Sequence, residues 1–330
     1  MTRLLDVENL SRSFEVRLGG GLMRRSATLK AVDGVSFGLD AGRTLGIVGE
    51  SGCGKSTTAK LVLGMIPASG GRISFAGEPV TARHDAGWRA QRAKMQMIYQ
   101  DPLAALDRRL TLAQQIAEPM IIHGLAATRA ERQDRVGALM AAVGLRPDMA
   151  TRYPHEISGG QRQRAVIARA LALEPKLIVC DEPVSALDVS IAAQVVNLFQ
   201  DLQERLGVGY LFISHDLKVV RQVSHEVAVM YLGRIVERGA PDALFHRPAH
   251  PYTRALVAAV PSVHRRRQRE RIILAGDPPS PVDVPRGCAF HPRCPLATGA
   301  CREVTPILKP GDDGRLVACH AVHDDLKAAA

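Results

Sequence analysis

Short apolar runs recur along the first 240 residues, separated by stretches of helical length. Leu4 to Val7, Val35 to Leu39, Thr44 to Val48, Met95 to Tyr99, Leu177 to Cys180, Tyr210 to Ile213 and Val227 to Met230 are β-branched or continuously apolar. That is the pattern of strands covered on both faces. Helical patterns fill the intervals from Lys55, from Arg129 to Val143, from Gln161 to Leu173 and from Ile191 to Leu206. The alternation predicts an α/β layered fold on a largely parallel sheet and excludes a helix bundle or a β-sandwich.

Three stretches break the rhythm. Residues 15–28, EVRLGGGLMRRSAT, are glycine-rich and basic and read as a mobile insertion between early strands. From Asp101 to about Gly159 the pattern is helical with little strand signal, which predicts an α-helical subdomain inserted into the sheet domain, about 101–160. After Gly239 proline becomes frequent, with Pro278, Pro279, Pro281 and Pro285 close together, so the chain is expected to divide into 1–240 and 241–330.

Local motifs carry the chemistry. Gly49-Glu50-Ser51-Gly52-Cys53-Gly54-Lys55-Ser56 has the G-x-x-x-x-G-K-[ST] spacing, follows an apolar strand and opens a helix. Glycines let the backbone curl so that N–H groups point at phosphate oxygens, and the helix N-terminus adds a favourable dipole. Lys55 is expected to reach the β and γ phosphates of a nucleotide and the Ser56 hydroxyl to ligate Mg²⁺, with Thr57 next to it in the nucleotide-binding set. Leu177 to Cys180 leads into Asp181 and Glu182, two carboxylates at a strand end. Asp181 can hold Mg²⁺ through water, and Glu182 can orient or deprotonate the attacking water. Ser158-Gly159-Gly160-Gln161 is a second glycine-rich helix opening, which by itself is equally an ordinary N-cap and turn.

Composition narrows the setting. With 330 residues, 46% hydrophobic and 23% charged, the chain is globular and long enough for two domains, which excludes disorder, collagen and coiled coil. The net charge of +10 suits nucleic acid, an anionic membrane face or phosphorylated ligands equally. No apolar run approaches a bilayer span, and MTRLLDVENL lacks a signal-peptide core, so a soluble cytoplasmic protein is expected. Cys288, Cys294, Cys301 and Cys319 cluster near the C-terminus, a grouping that in a reducing compartment suggests a metal or a cluster more than disulfides. They lack tight C-x2-C knuckles, so zinc, an iron–sulfur cluster and unligated thiols all stay open, while Cys53 and Cys180 read as small packing residues. The run from His264 to Arg271 holds five arginines without interleaved aromatics and reads as a solvated linker or helix face.

Taken in order, Gly49 to Ser56, Gln100, Ser158 to Gln161, Asp181-Glu182, Ser185-Ala186-Leu187-Asp188 and His215 resemble the motif series of the ATP-binding cassette (ABC) ATPases, which are P-loop NTPases. The resemblance implies that Ser158, Gly159, Gly160 and Gln161 form a signature motif completing the ATP site of a facing subunit. It also implies that Gln100 senses Mg²⁺ and reports to a membrane partner, that Asp188 crosses the dimer interface, and that His215 contacts the γ-phosphate. Phe14 is the candidate for the aromatic that stacks on adenine, against a buried core phenylalanine.

A narrower resemblance covers almost the whole chain. Tyr153-Pro154-His155-Glu156, Asp181 to Ser190, Phe212 to Leu217, His250-Pro251-Tyr252 and Gly287 to Cys294, with Val317-Ala318-Cys319, are similar to ATP-binding subunits of bacterial dipeptide and oligopeptide importers. Nickel, glutathione and some opine or sugar importers share this type of subunit. The chain departs after Gln100, reading Asp101-Pro102-Leu103-Ala104-Ala105-Leu106-Asp107-Arg108-Arg109 where the family tends to have D-P-x-x-S-L-N-P-R. The resemblance implies a [4Fe-4S] cluster on Cys288, Cys294, Cys301 and Cys319 in a small C-terminal domain. It further implies a paralogous second ATPase subunit, two transmembrane permease subunits, an extracytoplasmic solute-binding protein, no nucleic acid, and a peripheral place on the cytoplasmic face of the inner membrane. A soluble ABC ATPase of DNA repair or translation, and a subunit that binds ATP with little turnover, are the competing readings.

Overall fold

The computed structural model describes residues 2–18, 25–83, 85–260, 276–311 and 313–323. The arginine run from His264 to Arg271 and the centre of the 15–28 stretch lie outside them.

Among the described residues the main sheet has eight strands. Five form its parallel heart: β3 (Thr44–Val48), β6 (Met95–Ile98), β7 (Leu177–Asp181), β8 (Gly209–Ile213) and β9 (Glu226–Tyr231). Beyond β9 the sheet continues antiparallel through β10 (Arg234–Gly239), β12 (Leu316–Val317) and β11 (Lys309–Pro310). The runs read as continuously apolar because each of these parallel strands feeds two cores. Leu45, Ile47, Leu177, Val179, Leu211 and Ile213 enter one. Val48, Ile178, Cys180, Tyr210 and Phe212 enter the other. Side chains alternate across a strand, so apolar layers on both faces leave no position for a polar residue.

The first face is covered by an antiparallel sheet in the order β2 (Arg25–Asp40), β1 (Arg3–Leu18), β4 (Gly70–Phe75), β5 (Glu78–Pro79), and by α1 (Lys55–Val62). The expectation of a mobile insertion over 15–28 is corrected at both ends. Phe14 pairs with Leu29, Glu15 with Thr28 and Val16 with Ala27, and the Glu15 carboxylate accepts hydrogen bonds from the Ser26 and Thr28 hydroxyls. Cross-strand pairing is a long-range property that glycine and arginine content does not reveal.

The second face carries α6 (Gly159–Leu171), α7 (Val189–Leu206) and α8 (Leu217–Val223). Phe199 of α7 meets Tyr210 and Phe212 edge-on, at 5.4 and 5.7 Å between ring centroids. Between β6 and β7 the chain is helical, with α3 (Pro102–Ala105), α4 (Leu112–Ile122) and α5 (Arg129–Ala142) preceding α6; α2 (Ala86–Lys94) lies earlier, before β6. After β10 come α9 (Pro241–His246) and α10 (Pro251–Ala258), and a loop-rich stretch holds α11 (Gly299–Glu303) before β11 and β12 rejoin the sheet edge.

His250 caps α10, its Nδ1 accepting the Tyr252 N–H, and is 1% exposed. Burial first, and then the Arg254 charge, push its pKa down to about 3. The folded chain therefore refuses a proton that the unfolded chain takes up near pH 6.5. This contribution is fully present above about pH 6.5 and is lost as pH falls toward 3, by up to about 1.4 kcal/mol per pH unit. Thermal melts between pH 7 and 4.5 should show a steeper fall for the wild type than for His250→Asn, which keeps a capping oxygen but does not titrate.

Candidate functional site

Gly49 to Gly54 joins the C-terminal end of β3 to the start of α1. Its glycines are required by contact as well as by torsion. A Cβ on Gly49 would stand 2.1 Å from the Met230 carbonyl oxygen, and one on Gly54, whose φ is 106°, would stand 2.2 Å from that of Ala31. The loop is thus clamped between β9 and β2. Cross-links hold it there: Gly233 N–H donates to the Cys53 carbonyl and Asp33 N–H to that of Gly233, each at 2.9 Å.

Lys55 is 5% exposed, and its Nζ donates to the carbonyls of Gly49 (2.8 Å) and Glu50 (2.9 Å), curling back over the loop. Ser51 and Gly52 are exposed, as is Ser56, while Cys53 is buried and Thr57 half-buried. Burial pushes the Cys53 thiol up against the lowering pull of Lys55, which keeps it a packing residue.

Ser56 Oγ donates to Asp181 Oδ1 at 3.0 Å, so α1 and the end of β7 bring together the two expected Mg²⁺ residues. Burial raises the Asp181 pKa although the Ser56 hydrogen bond lowers it. A buried carboxylate beside a hydroxyl oxygen offers the oxygen donors that suit a hard divalent cation. Glu182 follows with φ at 51°, in the left-handed region that costs a non-glycine residue about 1–2 kcal/mol. Its N–H donates to the Ile213 carbonyl, locking the turn to the end of β8. Glu182 Oε2 then accepts from Gln100 Nε2 at 3.1 Å and lies 3.1 Å from His215 Nδ1. Three strand ends, β6, β7 and β8, deliver these side chains to one point. Gln100 meets Glu182 rather than Ser56 or Asp181.

Ser158 and Gln161 form a reciprocal cap on α6: Gln161 N–H donates to Ser158 Oγ and Ser158 N–H to Gln161 Oε1. Gly160 is packed against Ile191, where a Cβ would stand 2.5 Å from Cγ2, while Ser158 is exposed and Gly159 half-buried. Asp188 occupies the N-cap position of α7 without making a side-chain cap, and it is exposed beside Val189, which is 89% exposed. Phe14 is half-exposed, so it is not a core phenylalanine, and the Arg12 guanidinium stands 4.5 Å from its ring centroid. Its partner Leu29 lies two residues before Ala31, which touches the phosphate loop.

Residues 32–185 match the family described as ABC transporter, and 236–301 match the C-terminal region of oligopeptide/dipeptide transporters. The chain is 49% identical to the oligopeptide transport ATP-binding protein OppF of Escherichia coli, over 96% of this chain and 95% of that protein. The chain belongs to the family of ABC transporter ATP-binding subunits. It is 51% identical to a probable peptide ABC transporter ATP-binding protein, y4tS, of Sinorhizobium fredii, over 96% of this chain and 89% of that one. Among solved structures, the fold resembles CbiO1 of Clostridium perfringens, part of the ABC transporter complex CbiONQ (TM-score 0.65, 26% identity, 75% of this chain and 92% of that). It also resembles the dimeric ATP-binding cassette MJ0796 bound to ADP and Pi (TM-score 0.63, 24% identity, 72% of this chain and 99% of that). The fold is that of the P-loop ABC ATPases, as the motif series implied, and the chain is an ATPase of that class.

The four C-terminal thiols meet the expectation less well. Cys288, Cys294, Cys301 and Cys319 share one lobe, and Cys288 N–H donates to the Cys301 carbonyl at 2.8 Å. Burial first, with repulsion between the thiolates adding to it, raises Cys288 to about 11 and pushes Cys294 and Cys319 up. Yet among the described residues no three His, Cys, Asp or Glu side chains are placed to hold a metal, so the structure does not support a [4Fe-4S] cluster. The Cys301 sulfur instead lies 3.4 Å from the Thr298 hydroxyl.

Local spacing could not reveal two further residues at the loop. Glu50 N–H donates to the Tyr252 hydroxyl at 2.8 Å, and its carboxylate takes both terminal nitrogens of Arg293, at 3.0 and 3.2 Å. The sequence signal in each case was only membership in a stretch shared with the peptide-importer family.

Gly54→Ala is expected to lower stability by roughly 1–3 kcal/mol through its φ and the Ala31 clash, and to weaken nucleotide binding as well; urea melts and nucleotide titration of the same preparation check both.

Proposed function

We propose that this chain is the ATP-hydrolysing motor of a bacterial peptide importer. The observation that carries the hydrolytic part is the meeting of Gln100, Glu182 and His215 beside the Ser56–Asp181 pair. In this reading Lys55 leaves its loop carbonyls to bind the β and γ phosphates, and the loop N–H groups orient the rest of the triphosphate. Ser56 and Asp181 would hold Mg²⁺, which would supply positive charge against the phosphate groups. Gln100, given the same role from sequence, joins them only if it exchanges its bond to Glu182. Glu182 accepts the proton of the attacking water. Gln100 fixes the orientation of its carboxylate, and His215, 59% exposed at the side chain, exchanges its contact with Glu182 for the γ-phosphate. Catalysis is then positioning and charge stabilisation.

The uncapped Asp188, exposed Val189 and exposed Ser158 fit a facing subunit whose signature motif closes over the nucleotide, as the sequence resemblance implied. A paralogue is the partner in this proposal, with permease subunits and a solute-binding protein completing the importer. Among the described residues no helix is long and apolar enough to cross a membrane, consistent with peripheral attachment at the cytoplasmic face. The peptide class rests on the relatives' names and on the C-terminal match. The divisions 1–240, 101–160 and 241–330 serve here as ATPase, helical subdomain and C-terminal domain. After Gln100, the departing residue Asp107 is held by Arg109, which draws its pKa down to about 2, so this turn carries an internal ion pair where the family tends to have an asparagine. A [4Fe-4S] cluster on Cys288, Cys294, Cys301 and Cys319 is a separate proposal, which rests on the sequence resemblance alone. It enters no step of hydrolysis.

Lys55→Ala should abolish ATP binding. Glu182→Gln should bind ATP normally, accumulate as an ATP-bound dimer and lose hydrolysis by about 10²–10⁴-fold; hydrolysis at the wild-type rate would remove Glu182 as base. In liposomes with permease subunits, a peptide-loaded binding protein should stimulate turnover, and full activity without membrane partners would defeat the importer reading. Anaerobic protein should contain iron and acid-labile sulfide that Cys294→Ser removes if the cluster proposal holds, and iron-free wild type defeats it.

A further inference from the structure

Glu50 is held by its own loop and by two residues, Tyr252 and Arg293, that the hydrolytic mechanism does not use. Its N–H is bonded to the Tyr252 hydroxyl, its carboxylate to the Arg293 fork, and its carbonyl accepts from Lys55 Nζ and from the Cys53 N–H. The Arg293 side chain is 7% exposed and that of Glu50 28%, so the pair is largely desolvated. The two bonds to Glu50 are the main support of this charge, with the Tyr231 side chain as its second polar neighbour. A planar fork on a carboxylate fixes both distance and orientation, which a point charge would not.

The far end of the link is rigid too. Arg293 ends a short 3-10 turn, His291–Arg293, that follows Phe290 and precedes Cys294. Phe290 is 1% exposed and packs on Tyr231 and Tyr252, with ring centroids at 5.3 and 5.5 Å, and on His250 at 5.7 Å. Tyr231 ends β9, next to the Met230 carbonyl that abuts Gly49. One aromatic cluster therefore anchors the cysteine-bearing lobe to the strand that walls the phosphate loop.

We propose that Arg293 and Tyr252 are positioning residues for the phosphate loop, through which the cysteine-bearing lobe sets ATP affinity. The inference rests on the ATP-site reading above. Lys55 starts from the Glu50 carbonyl, so the orientation of the Glu50 peptide determines where the lysine and the following N–H groups point. A change of structure around Cys294 moves the neighbouring Arg293 and passes to the loop through one ion pair.

The test is titration with Mg²⁺ and adenylyl imidodiphosphate, a non-hydrolysable ATP, on the full chain, together with steady-state ATPase kinetics in the assembled transporter. Arg293→Met should raise the Kd about tenfold, the effect of losing a charge-assisted hydrogen-bonded pair. The KM for ATP should rise with it, while kcat at saturating ATP stays within roughly twofold, because no hydrolytic group is touched. Glu50→Gln should weaken binding similarly, and the double variant should be no worse than the weaker single one, since both remove the same link. Arg293→Lys, which keeps the charge, should fall between wild type and Arg293→Met, and it serves in the cycle if Arg293→Met does not fold. Tyr252→Phe should weaken binding independently of Arg293. Wild-type affinity in a folded Arg293→Met protein, or fully additive effects of the two substitutions, would overturn the proposal. Failure of the wild type to bind the analogue would defeat the ATP-site reading instead.

Discussion

Backbone contact around the phosphate loop is the constraint on which the rest of the site depends. Gly49 and Gly54 sit so close to the carbonyls of Met230 and Ala31 that neither position has room for a Cβ. The loop is consequently wedged between the main sheet and the antiparallel hairpin, and small errors in either would distort it. Close packing does not give way gradually. The loop's shape is thus inherited from two cores at once, one on each face of the parallel strands.

The same arrangement explains how residues far apart in the chain become one site. Parallel strands all end on the same side, so β6, β7 and β8 place Gln100, Glu182 and His215 together without any special loop. Such a crevice at the carboxyl ends of strands is where open α/β sheets bind ligands. Glu182 accepts backbone strain there, its φ held by the bond to Ile213, and that strain aims its carboxylate at the other two side chains. Glu50 is organised on the opposite principle. Its neighbours satisfy all its polar groups, which makes it an anchor.

Much of this was legible from the sequence where physics is local. Thr44–Val48, the glycine spacing after it and the capping of α6 by Ser158 and Gln161 depend on neighbours within a few residues. The strands Leu177–Asp181 and Gly209–Ile213 could be recognised because burial on both faces leaves an unbroken apolar run. The pairing of residues 15–18 with 25–28 is not legible in the sequence, because the glycines and arginines of this stretch say nothing of a partner strand. β4 and β10 escaped notice for a related reason: Gly70–Phe75 and Arg234–Gly239 mix polar with apolar residues, and only their pairing makes them strands. The cysteines were recognisable as a group, but spacing alone could not say how far apart the thiols would stand.

The sequence by itself determined the class of fold and the chemical inventory, because periodicity, glycine torsion and motif order are written in contiguous residues. The tertiary structure alone decided which of those groups touch. Gln100 went to Glu182 and not to the Ser56–Asp181 pair. Arg293 reached Glu50 across 243 positions of chain, a contact set by how the C-terminal lobe docks on Tyr231 and Tyr252. Docking of that kind follows from the shape of packed aromatic surfaces, which exist only once the sheet has formed and which no local pattern encodes.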